Sequence, residues 1–168
     1  MRIITSLMIL LLFVAPVTAG VGPRHYETTG GFSFCAPEGW VFQNFPGMKF
    51  QIAMGPVTGT FRPNINVVDE SFAGPLDAYA EANLNSMAAV LPHFKLLGRR
   101  TLVTDSGQEG VLLVANNRQH GNLLRQFFLL IKGRGHTCLV ATCTCLETDG
   151  DRFRPLFLES LRTFQTER

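Results

Sequence analysis

Phe127-Phe128-Leu129-Leu130-Ile131 is the stretch that most limits what this chain can fold into. Successive side chains of a strand leave opposite faces, so a strand apolar at every position must be covered on both. Val111 to Ala115 is nearly as apolar. A sheet with one wet face would alternate. These strands therefore need a layer on each side, supplied by helices or by further strands.

Four strands are predicted around this run, over Phe94–Val103, Glu109–Asn116, Leu123–Ile131 and Thr137–Cys145. The connectors Asp105-Ser106-Gly107, Arg118-Gln119-His120-Gly121 and Gly133-Arg134-Gly135 each carry the glycine that tight turns demand. Short links between consecutive strands make an antiparallel meander. Upstream, Phe32–Cys35, Trp40–Phe42, Lys49–Met54 and Asn64–Val68 read as shorter strands, with a Gly-, Pro- and Thr-rich loop from Gly55 to Pro63. Residues 20–30 read as a flexible leader. Pro75 opens a first helix, whose apolar stripe is Leu76, Tyr79, Ala80, Leu84, Met87 and Leu91, and Pro92 ends it. A last helix starts near residues 152–155, with Phe153, Leu156, Phe157, Leu161 and Phe164 on one stripe. Thr148, Asp149 and Asp151 offer oxygens to cap it.

The beginning of the chain has another character. Met1-Arg2 is a short positive segment, Ile3–Val14 is apolar except at Thr5 and Ser6, and Pro16 precedes Val17-Thr18-Ala19. This is the layout of a cleavable export signal, with cleavage near Ala19. The apolar run is shorter than the roughly 20 residues a membrane span needs. The expected product is exported, to the periplasm or beyond the cell, with no transmembrane span in the mature chain. Taking 19 residues from 168 leaves 149, enough for one domain over residues 31–168. With Arg2 gone, 14 basic residues face 13 acidic ones. That balance argues against nucleic acid as the main partner.

The order of elements resembles the PsbP-like and DcrB-like proteins. Phe32-Ser33-Phe34-Cys35-Ala36-Pro37-Glu38-Gly39-Trp40 is similar to the opening of that family, Gly98 to a glycine after its first helix, and Phe153–Phe164 to its closing helix. The resemblance covers about residues 31–164 and implies an α+β fold, an α/β/α sandwich with a central antiparallel sheet flanked by helices. It also implies binding without catalysis or cofactor, by a fold that includes a small-GTPase-binding nuclear import factor and bacterial effector chaperones. An exported chain cannot meet the cytosolic partners of those branches, which leaves another envelope or secreted protein as the expected partner.

Tests for chemistry leave little. Four cysteines in an exported protein allow disulfides; Cys35 with Cys143 or Cys145 is one pairing, and buried free thiols are the alternative. Cys138 and Cys143 leave opposite strand faces, so a metal site with Cys145 and His136 fits poorly. No Gly-x-Ser-x-Gly elbow, paired carboxylates or phosphate loop is present, and His25, His93, His120 and His136 fall in the leader, at a helix end and in turns. No catalytic, cofactor-binding or metal residue is expected. The aromatic group Trp40, Phe42, Phe45, Phe50 and Phe61 surrounds the Gly55–Pro63 loop, and Phe50, Phe61 and Arg62 are its candidate contact residues. The expected function is an exported, non-enzymatic binding or accessory protein. Two alternatives remain: a small metal-handling or redox protein using the C-terminal cysteines, and a chaperone for hydrophobic segments.

Overall fold

A computed structural model describes residues 20–167. The export signal expected over residues 1–19 lies outside the described residues. The chain forms β1 (Val21–Glu27), β2 (Phe32–Pro37), β3 (Val41–Gln43), β4 (Ile52–Met54), β5 (Asn64–Ser71), α1 (Leu76–Val90), β6 (Lys95–Val103), β7 (Glu109–Gln119), β8 (Asn122–Lys132), β9 (Thr137–Leu146), α2 (Gly150–Arg162) and β10 (Gln165–Thr166). Seven strands make an antiparallel sheet in the order β3-β4-β5-β9-β8-β7-β6, and β1-β2-β10 form a second, smaller sheet.

The doubly apolar strands sit at the centre, as their composition requires. Phe127, Leu129 and Ile131 of β8 face α2 and the small sheet, together with Leu112, Leu139, Ala141, Cys143 and Cys145. Phe128 and Leu130 face the other way, with Leu113, Ala115, Cys138 and Val140, against Tyr79 and Ala80 of α1. Leu129, Leu130 and Ile131 are all fully buried. Each such side chain is worth roughly 1.5–3 kcal/mol on leaving water, which makes this strand the anchor of both layers. The fold is the expected sandwich around an antiparallel sheet, and the four C-terminal strands form the expected meander.

Two motifs acquire physical reasons. Gly39 adopts a φ of +78°, and the Trp40 N–H donates to the Pro37 carbonyl at 3.1 Å. That turn places the indole edge-on to Phe153 and Phe157 of α2, with ring centres 6.3 and 6.0 Å away. Trp40 thus plugs the α2 layer, and Gly55 is pressed against its ring so closely that a Cβ there would lie 2.6 Å from indole carbons. At the far end of α2, Phe164 stacks on Phe32 and Phe34, joining the helix layer to the small sheet.

Two elements differ from what the sequence predicts. Residues 21–27 are not a loose leader but strand β1, antiparallel to β2 from Val21↔Pro37 to Glu27↔Phe32. Mixed polarity hid it, since VGPRHYE has neither alternation nor an apolar run. Secondly, α2 starts at Gly150 through a 3-10 turn over Glu147–Asp149, and its N-cap Asp149 makes no side-chain hydrogen bond. The continuous turn supplies the backbone partners that capping oxygens were expected to give.

Candidate binding cleft

The α1 face of the large sheet changes character along its strands. Apolar beneath α1, it becomes polar toward the β7–β8 hairpin, where Asn117, Gln119, Gln126, Thr142, Thr144, Asn64 and Asn66 replace the Leu, Val and Phe of the other end. Asn117 is fully buried, and Gln126 and Thr144 are at least nine-tenths so. Buried amides survive only when hydrogen-bonded. Here Asn117 Nδ2 donates to Gln126 Oε1 at 2.5 Å, and Gln126 Nε2 donates to Thr144 Oγ1 at 3.1 Å. Gln119 Nε2 donates to Asn117 Oδ1 at 2.9 Å. The result is a side-chain ladder running across β7, β8 and β9.

The ladder opens into a cleft of about 230 Å³ lined by Phe61, Asn64, Asn66, Gln119, His120, Asn122, Leu124, Gln126 and Thr144. No Asp, Glu, Lys or Arg lines it. One rim is the β7–β8 turn, where His120 has a φ of +47° and Gly121 one of +82°. A left-handed backbone is uncommon for a histidine and matches the two-residue turn that a right-twisted hairpin favours. The opposite rim is the Gly55–Pro63 loop. It is tied to itself: Thr58 and Phe61 exchange backbone hydrogen bonds at 2.8 and 3.0 Å, and the Gly55 N–H donates to Pro63 at 2.8 Å.

The three expected contact residues separate. Phe61 lines the cleft. Arg62 braces the loop instead of presenting its charge, since its Nε donates to the Gly55 carbonyl at 2.8 Å. Phe50 belongs to the core, buried and set edge-on to Phe32 with ring centres 5.1 Å apart. The amide ladder is not evident from the sequence alone. Its only signal is the Asn, Gln and Thr gathered toward one end of β5, β7, β8 and β9, which reads as a solvated strand end until the register puts them side by side.

All four cysteines are free, buried thiols. Cys143 and Cys145 face α2 and Cys138 faces α1, so the three do not converge. Cys35 lies in β2 on the side opposite Phe34 and Ala36, which point into the core that holds Cys143 and Cys145. The pairing of Cys35 with either is therefore absent from this arrangement. Burial pushes the Cys143 thiol well up, and burial with the nearby Asp149 carboxylate raises Cys145 to about 12. Both stay protonated at neutral pH, the form that neither attacks nor ligates readily. Among the described residues, no group of three or more His, Cys, Asp or Glu is placed to hold a metal. No described helix is long and apolar enough to cross a membrane. The chaperone alternative requires a wide apolar groove on one sheet face, and the apolar strand centres are instead covered on both sides by α1 and by α2 with the small sheet.

No family model matches the sequence, and no curated protein is detectably similar to it in sequence. Solved structures are similar in fold. PA94, a protein of unknown function from Pseudomonas aeruginosa, superposes with a TM-score of 0.63 at 21% identity over 89% of this chain and 99% of its own. The cyanobacterial PsbP of Synechocystis sp. PCC 6803 gives 0.63 at 14% identity, covering 90% and 96%. LpqN of Mycobacterium tuberculosis, involved in cell envelope biogenesis, gives 0.61 at 14% identity, covering 82% and 83%. With both faces of its central sheet covered and nearly the full length of these chains matched, the protein has the PsbP-like fold.

Proposed function

We propose that this chain is an exported, non-enzymatic accessory protein that binds another envelope or secreted protein through the amide-lined cleft. The observation that carries the reading is the buried Asn117–Gln126–Thr144 ladder. Amides held this rigidly on a sheet face cost stability unless satisfied, and a face needing only cover would use Leu or Val. The ladder backs the cleft-lining Asn64, Asn66, Gln119 and Asn122, whose neutral donors and acceptors suit the alternating N–H and C=O groups of a partner's polypeptide, with Phe61 supplying an apolar contact at the rim. The structural likeness to PsbP and to an envelope-biogenesis protein supports an accessory role outside the cytoplasm. Export rests on the signal-like residues 1–19.

A photo-crosslinking residue at His120, with Tyr26 on the small sheet as control, tests the site in cells of the source organism. The expected result is one partner adduct from position 120, lost when Gln119→Ala and Phe61→Ala are combined, and none from position 26. Equal adducts from both positions, or survival of the adduct in the double variant, would overturn the cleft as the contact. Export is checked on the same material: the purified protein should begin at or near Gly20.

A further inference from the structure

The other face of the sheet carries a second concave feature, remote from the amide cleft and unused by the function proposed above. Edge strand β6 pairs only with β7, and its first seven residues are exposed. Along its α2 face, Gly98 lies opposite Val114 and Arg100 opposite Leu112. Between β6 and α2 lies a cavity of about 160 Å³ with Leu112, Val114 and Leu97 among its apolar lining. Gly98 keeps it open, since nothing lies within 4 Å of where a Cβ would stand. Arg99 and Arg100 from β6, Arg125 from β8 and Arg154 from α2 all border the same cavity.

Lysine and arginine on an edge strand commonly serve to block unwanted pairing. Arg99 fits that simpler role: it faces α1 and is paired with Asp77 and Glu81. The other three bordering arginines do not. They come from three separate elements and converge on one apolar floor. Among the described residues, neither Arg100 nor Arg154 has a carboxylate partner; Arg125 has only the exposed Asp151, at 3.9 Å. Arg125 is also aimed, because its Nε donates to Asn116 Oδ1 at 2.5 Å and Asn116 in turn donates to Glu147 at 2.6 Å. Arginine forks on a desolvated floor are the usual means of holding carboxylates.

The geometry points to strand addition: β6 takes an extended acidic segment of a partner protein as an eighth strand. Backbone pairing with the free edge would give register, one aliphatic side chain would enter the cavity over Gly98, and flanking acidic residues would meet the three arginines. Charge complementarity selects this occupant over a basic or purely apolar strand.

The test uses the purified protein and a dye-labelled, end-blocked heptapeptide Thr-Glu-Thr-Val-Thr-Glu-Thr, with its Gln-for-Glu counterpart. On one face this peptide presents Glu, Val and Glu. The Glu peptide should bind with at least tenfold higher affinity than the Gln peptide, weaken several-fold as salt rises from 50 to 300 mM, and slow amide hydrogen exchange across residues 98–103. Arg100→Gln with Arg154→Gln should weaken binding at least tenfold, Gly98→Val should block it by filling the floor, and Arg118→Gln should leave it unchanged. Circular dichroism confirms that each variant is folded. Equal binding of the two peptides, no binding of the Glu peptide at millimolar concentration, retention in the double arginine variant, or binding without protection of β6 would each overturn the proposal.

Discussion

The Tyr79 hydroxyl donates to Glu70 Oε2 at 2.6 Å, fastening α1 to β5 at the end of the sheet where its apolar stripe makes contact. The ring is buried between Phe72 and the β8–β9 surface, and burial, with the Glu70 bond next, holds the phenol proton well above its ordinary range. Tyr79→Phe keeps the ring and loses one hydrogen bond whose acceptor is exposed and can turn to water, a loss of about 0.5–1 kcal/mol. Tyr79→Ala also leaves a cavity under α1 and should cost about 3–5 kcal/mol. Urea unfolding of the two variants separates the bond from the packing; a Phe variant as unstable as the Ala variant would show that the hydroxyl, not the ring, holds the helix.

Gly110 and Gly98 face the same α2 side of neighbouring strands and should respond oppositely to alanine. A Cβ on Gly110 would lie 2.6 Å from Leu129 Cδ1 and 2.9 Å from the Leu130 carbonyl oxygen, and the latter is backbone that cannot step aside. Gly110→Ala should cost about 1–3 kcal/mol by overpacking. Gly98→Ala meets open space and should be neutral or stabilise by about 0.5–1 kcal/mol, through the reduced freedom of the unfolded chain. Thermal unfolding of the pair distinguishes close packing from a general dislike of replacing strand glycines.

How far the sequence carried the fold follows from where hydrophobicity decides. Phe127–Ile131 demanded cover on both faces, and the stripes ending in Leu91 and Phe164 named the two helices that give it. Those elements are fixed by burial, which composition records. β1 was invisible because its pairing with β2 is a backbone matter, and its half-exposed VGPRHYE carries no period. The candidate cleft was half legible for the same reason. Phe61 stood out as an aromatic in a Gly- and Pro-rich loop, but Asn117 and Gln126 lie 9 residues apart in the chain, Gln126 and Thr144 18 apart, and they meet only through the β7–β8–β9 register. Phe50 misled because an aromatic beside a loop and an aromatic under it look alike until depth is known.

Four free thiols should be countable. In denaturant without reductant, a thiol-reactive dye should titrate all four cysteines. In the native protein Cys143 and Cys145 should react only as fast as the chain opens, because both are buried and held protonated. A count of two in denaturant would establish one disulfide and require β2 or β9 to turn a cysteine from where it now points.

His25 gives the fold a dependence on pH that can be assigned to one side chain. Its imidazole stacks on Phe42 with ring centres 3.9 Å apart and planes 15° from parallel. Burial lowers its pKa below the ordinary 6.5, and the nearby Glu27 carboxylate only partly opposes that. The unfolded chain therefore takes up the proton first as pH falls. Stability from this residue is whole above about 6.5, the unfolded-state value, and is lost as pH drops through the folded value. Carboxylates and the other histidines add their own slopes, so a difference between variants is needed. The urea midpoint of the native protein should fall between pH 7.5 and pH 5 by more than that of His25→Gln, which keeps a planar polar group against Phe42 but cannot take up a proton. Parallel slopes would mean that the stacked ring charges as readily folded as unfolded, and that β1 is more open to water at this position than its packing on Phe42 implies.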